Sequence, residues 1–345
     1  MKIEFSAKTA LGFSKHNETR AWVGSDDRSA CARLQADKFI ELRHVPKFQL
    51  DRSAPIFTVG SCFARNVENT LLEHRLPMLL RGHGVPAEEY ETWDEAAGRG
   101  GGAARGHLSR GAFNKYNVHS MTRELRRVIL EETYPHEGLI ELKQDLWFDP
   151  HASALRNGPY ETVMANRRRI HAAMAEIRNA RVMFMTLGLT ETWIDKETGL
   201  ALNVHPGANW LTRLADRFQF VDYGFDGILS ELVAMIDLIR SACSADMRFI
   251  VTVSPVPLGS TFKNADVIVA NGGSKATLRA VAEELTRQYD CVDYFPSYEY
   301  VINSPRSLAW GDDQLHVNAG LVRHITESFI GFYYGAGDGQ VASAA

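Results

Sequence analysis

The sequence predicts an α/β protein, a mostly parallel sheet with helices on both faces, and three observations carry that expectation. Short apolar runs recur at Ile56 to Val59, Arg181 to Gly188 and Phe249 to Pro255. Each reads as a strand buried on both sides, since a half-exposed strand would alternate apolar with polar residues. Long helical patterns separate the runs, as crossover helices over a parallel sheet require. Each run also ends in a turn: Gly60-Ser61-Cys62, Gly188-Leu189-Thr190-Glu191 and Ser254-Pro255-Val256-Pro257. In such sheets the functional residues collect at the carboxyl ends of the strands, so these three turns are expected along one edge.

Taken in order, residues 1 to about 50 are polar and mixed, and read as an N-terminal arm or cap. The main domain is expected over 51–334. It opens with the strand at Ile56 and a helix from Phe63 to His74. Residues 81–110 read as loop, with Arg99 to Gly106 its most glycine-rich part; no Lys-Ser/Thr follows to make it a phosphate loop. A helix is expected over Ser120 to Glu132, a strand pair across Leu139 to Phe148, and an amphipathic helix over Tyr160 to Asn179. Helices at Gly227 to Ala242, Ser274 to Tyr289 and Leu321 to Tyr334 alternate with the later strands, the last at Cys291 to Phe295. Residues 335–345 read as a flexible tail of small residues.

Composition narrows the function classes. Of the 345 residues, 45% are apolar and 23% charged, with a net charge of −4. Charges of both signs are spread along the chain, so no nucleic-acid footprint stands out. The densest basic spot, Arg167-Arg168-Arg169, reads as a solvated helix face. Neither a signal peptide nor a membrane span is expected. Cys31, Cys62, Cys243 and Cys291 lack the spacing of a zinc site or a disulfide framework, and no cofactor is expected. Scattered free thiols suit a reducing cytoplasm, which would keep Cys62 a thiol.

Two blocks bear chemistry. Cys62 stands at the start of a helix, where free N–H groups and the helix dipole favour a thiolate, so a lowered pKa and nucleophilic character are expected. Near the C-terminus, Asp313-Gln314-Leu315-His316 lies just ahead of the last helix. Asp313 can hold the imidazole of His316 through Nδ1, leaving Nε2 to accept a proton.

Val59-Gly60-Ser61-Cys62-Phe63-Ala64-Arg65-Asn66 resembles the signature of the GSCFA family, a group related to the SGNH/GDSL hydrolases. Thr252 to Pro257, Tyr294 to Glu299 and Asp312-Asp313-x-x-His316 resemble its later blocks. The resemblance implies a flavodoxin-like three-layer α/β/α fold. It also implies acyl-ester chemistry, of esterase or deacetylase type, on a glycan or small metabolite. Laying Gly60-Ser61-Cys62 on the superfamily's Gly-Asp-Ser makes Cys62 the nucleophile, with Ser61 as the alternative. His316 is then the base and Asp313 its orienting acid.

A thioester formed on Cys62 passes readily to acceptors other than water, so an acyltransferase using acyl-CoA or another thioester donor is the first alternative. A catalytically weak binding or scaffold domain is the second. The oxyanion hole departs from the superfamily, because Thr190 stands where an Asn side chain is expected. One lost donor of this kind costs ~10²–10³ in rate. The N–H of Cys62, with Gly188 or Thr190, is expected to hold the oxyanion. Asn114 and Asn117 are candidates for the missing amide, with turn formation as their alternative role. Glu191 is expected either to contact substrate or to cap the next turn. Trp193, His205, Trp210 and Trp310 lie near these blocks and suit a sugar face or core packing.

Overall fold

The computed structural model describes residues 3–91, 108–205 and 207–335. The glycine-rich stretch from Arg99 to Gly106, Pro206 and residues 336–345 of the expected tail lie outside the described residues. The strands are β1 (Ile56–Gly60), β2 (Ile140–Lys143), β3 (Leu146–Phe148), β4 (Val182–Leu187), β5 (Glu191–Asp195), β6 (Leu200–Ala201), β7 (Phe218–Asp222), β8 (Arg248–Val253) and β9 (Val292–Tyr294). The α-helices are α1 (Ala7–His16), α2 (Ala30–Gln35), α3 (Cys62–Glu73), α4 (Val118–Ile129), α5 (Tyr160–Ala175), α6 (Ala208–Arg213), α7 (Phe225–Ala242), α8 (Val267–Gln288), α9 (Ser297–Asn303), α10 (Arg306–Ala309) and α11 (Ala319–Tyr334).

Four parallel strands make the central sheet in the order β1-β4-β8-β9. Because side chains alternate along a strand, the sheet splits its apolar residues between two cores. Phe57, Val59, Met183, Met185, Phe249 and Val251 enter one, with residues of α4, α5, α7 and α8. Ile56, Val182, Phe184 and Ile250 enter the other, with α3, α9 and α11. Helices therefore cover both faces, and the fold is a three-layer α/β/α sandwich.

Local chemistry sets the helix starts. The side chains of Ser61, Asn117, Asp266 and Asn318 accept from N–H groups of the first turns of α3, α4, α8 and α11. These caps satisfy donors that have no helical partner. The Asp266 cap also explains why α8 begins at Val267 and not at the expected Ser274. The helix runs through Gly272-Gly273 before reaching Ser274.

Two further differences come from pairing across long sequence distances. A small antiparallel sheet, β6-β5-β7, follows directly after β4, where the sequence reads as loop. The N-terminal arm carries α1 and α2, and its later part is fastened to the second core. Ile40 N–H donates to Ser304 Oγ, Lys47 N–H to Asp293 Oδ2 and Leu50 N–H to Tyr333 O. No helix among the described residues is long and apolar enough to cross a membrane.

The basic run is not a uniformly solvated face. Arg168 and Arg169 are exposed, but Arg167 is buried. It bonds Glu124 Oε2 at 2.8 Å and Asp149 Oδ2 at 3.3 Å, while Lys115 Nζ reaches the same Glu124 oxygen at 2.9 Å. His151 lies in this cluster, and burial pulls its imidazole down to about 3. An unfolded histidine titrates near 6.5, so the folded state resists a proton that the unfolded state takes up. The resulting stability is complete above about pH 6.5 and is lost as pH falls toward 3. Melting temperature is therefore expected to drop on acidification below pH 6.5, before most carboxylates titrate. His151→Asn is expected to flatten that upper part of the profile in calorimetry. His119, His171 and His205, also lowered by burial, account for the slope that remains.

Candidate active site

The three turns meet at one sheet edge, as their strands' register requires. Gly60, Thr186 and Thr252 lie side by side across β1, β4 and β8, so the residues just beyond them share one level. Gly60 has a φ of +136° and packs against Thr186, whose Oγ1 would lie 2.1 Å from any added Cβ. Only glycine fits that position. The same Thr186 hydroxyl accepts from Ser61 N–H at 3.1 Å.

Ser61 caps α3 through Phe63 N–H, and its hydroxyl lies 2.8 Å from Ser254 Oγ. It is thus committed to holding the turn. Cys62 is the first residue of the helix, a free thiol only 8% exposed. Burial pushes this thiol up to about 11, against the opposing pull of the Phe63 and Cys62 N–H groups and the charge of Lys275. This overturns the expectation of a lowered pKa. At this helix start desolvation outweighs the dipole, so the resting group is a thiol that needs a base.

Across the strand ends lies the segment Asn114 to Asn117. Lys115 N–H donates to Gly60 O, and Leu189 N–H donates to Tyr116 O. The segment passes so close to Gly188 that a Cβ there would meet Tyr116 O at 2.2 Å. The two asparagines do different work. Asn117 caps α4 and donates its amide to Leu202 O, which leaves it structural. Asn114 Nδ2 lies 3.3 Å from the Tyr116 hydroxyl, and its buried Oδ1 has no hydrogen-bond partner among the described residues. Burial raises the Tyr116 phenol, and the charge of Cys62 adds to that rise. Asn114 therefore accompanies a tyrosine within electrostatic reach of the thiol.

The third block is engaged elsewhere. Thr190 Oγ1 donates to Asp222 Oδ1 at 2.6 Å, so its hydroxyl is turned to β7. Glu191 accepts from Thr261 Oγ1 and Phe262 N–H and pairs with Lys263, fastening the loop after β8. It caps no helix. Trp193 packs with Phe220 and Phe262, and His205 packs on Phe262. Trp210 carries Arg213 over its ring, and Trp310 sits in the second core.

The acid and the histidine come together. His316 Nδ1 lies 2.7 Å from Asp313 Oδ2, and Asp313 Oδ1 accepts from the Leu315 and His316 N–H groups. Although partial burial opposes it, these bonds hold the Asp313 carboxyl down to about 2. The pair precedes α11, which packs against α3, the helix headed by Cys62.

Sequence reasoning missed Lys275. It is 1% exposed on α8, and Nζ donates to Gly188 O and Val256 O, both at 2.8 Å. Asn271 and Ser274 on the same helix face bond Leu258 N–H and Thr190 N–H. The signal was present as Asn271, Ser274 and Lys275 at helical spacing, continuing into the apolar stripe of Leu278, Ala282 and Leu285.

The model of the GSCFA family matches residues 55–329, which contain all of these blocks. No curated protein and no solved structure matches the chain.

Proposed function

The chain belongs to the GSCFA family, and from that premise we propose that it performs acyl-ester chemistry of the SGNH type through Cys62. One observation carries the reading: of the two candidate nucleophiles, the Ser61 hydroxyl is spent on its cap and on Ser254, while Cys62 remains a free thiol at the strand-end turn. Cys62 attacks the acyl carbon and releases the alcohol, leaving a thioester. His316, held by Asp313 through Nδ1, moves protons at Nε2. The Cys62 N–H and the Asn114 amide are the oxyanion donors this reading favours. The substrate class is an acyl ester of a glycan or small metabolite.

Transfer to an acceptor other than water is a second reading, with acyl-CoA as a donor. It is favoured by the burial of Cys62, which limits access of water to the thioester. Intact-mass spectrometry after mixing with p-nitrophenyl acetate tests both. The expected result is one acetyl group, mapped to Cys62 and absent in Cys62→Ala. An acetyl group on Ser61, or turnover without any adduct dependence on Cys62, would leave the reading without its nucleophile.

A further inference from the structure

We propose that Lys275 is the base that takes the proton of Cys62, dividing the work so that His316 serves the acceptor step. This inference rests on the nucleophile assigned above. Lys275 is buried, bonds two carbonyls and makes no ion pair among the described residues, which is costly for an ammonium unless the site uses it. Its two hydrogen bonds run to Gly188 O, beyond β4, and to Val256 O, beyond β8. Cys62 follows Ser61 in the turn beyond the adjoining β1, and Ser61 Oγ lies 2.8 Å from Ser254 Oγ, two residues before Val256. The amine is therefore held at the same end of the sheet, on the turn that Ser61 joins to the Cys62 turn.

The donor count of that clamp matters. A neutral amine has two N–H groups and a lone pair, and two carbonyls satisfy both N–H groups. The remaining position is then an acceptor. An ammonium would place a third N–H there, which is the state after the proton arrives.

Electrostatics agree with the placement. Burial pulls Lys275 down to about 7, and the charge of Cys62 opposes this. Lys275 pulls the Cys62 thiol down against its burial, and the charge of Cys62 adds to the rise of the neighbouring Tyr116. Between about pH 7 and 11 the pair therefore holds a single proton, which rests on sulfur and leaves the neutral amine as the acceptor.

In the first half, the Sγ–H proton passes to Nζ, the S–C bond to the acyl carbon forms, and the ester C–O bond breaks, with the leaving oxygen taking the proton from Lys275. In the second half, the acceptor O–H loses its proton to His316 Nε2. The new C–O bond forms, the C–S bond breaks, and the released thiolate takes that proton.

Stopped-flow measurement of p-nitrophenolate release, read with intact mass, tests the division. Wild-type acylation is expected to rise through pH 7. Lys275→Met is expected to lose at least ~10² in acylation rate at pH 8 and to lose the rise near pH 7. Lys275→Arg is expected to be equally slow, because a guanidinium cannot accept the proton. His316→Ala is expected to give a burst of one equivalent and a stable acyl-enzyme. A fast Lys275→Arg would make Lys275 a fixed charge and overturn the proposal, as would a folded His316→Ala with no burst. If Lys275→Met fails to fold, the His316→Ala burst and the wild-type pH profile still decide. Acylation of Cys62 that persists in folded Lys275→Met removes the base but leaves the nucleophile, whereas turnover in Cys62→Ala removes both.

Discussion

Cys62→Ala is expected to lose on the order of 10³ or more in ester turnover, the largest effect of any substitution here. The thiol is the attacking atom of the proposed chemistry, and the neighbouring Ser61 and Ser254 hydroxyls are bonded to each other. Ser61→Ala is expected to stay within about tenfold of wild type, and to show its cost in stability. It removes a helix cap, worth ~1 kcal/mol, and leaves the Ser254 hydroxyl without its buried partner. The two variants therefore separate along different axes, activity for Cys62 and melting temperature for Ser61. Steady-state kinetics and calorimetry on the same preparations check this. An inactive Ser61→Ala beside an active Cys62→Ala would move the nucleophile by one residue.

The second large effect is on folding. Arg167→Met is expected to destabilise the protein by roughly 3–5 kcal/mol, because Glu124 and Asp149 lose their shared cation inside the protein. A drop of about 4–7 °C in melting temperature is the expected reading. Asp149→Asn in the same chain is expected to recover part of it, since Asp149 is then a stranded charge, whereas Glu124 keeps Lys115. The Glu124 carboxyl is held well below its ordinary range: burial opposes ionisation, but Arg167, Lys115 and Arg127 outweigh it. Lys115 ties this cluster to the site, its side chain on Glu124 and its N–H on Gly60 O. Additive losses in the double variant would show that the two residues do not act as a pair.

The sequence by itself determined the layers, the strand-end turns and the Asp313–His316 pair. All three depend on patterns within a few residues, namely apolar runs, caps and an acid three residues from a histidine. Tertiary structure decided what depends on distant partners. Thr190 reads as an oxyanion donor until β7 brings Asp222 to its hydroxyl, and Asn117 reads as an equal of Asn114 until it caps α4. The Cys62 pKa follows the same division. A helix start is local and argues for a thiolate, whereas desolvation is set by everything packed above it, and here desolvation is larger. Lys275 is the clearest case. Its helix starts earlier than the expected Ser274, and its meaning comes from two carbonyls, at Gly188 and Val256, that only the folded sheet brings to it.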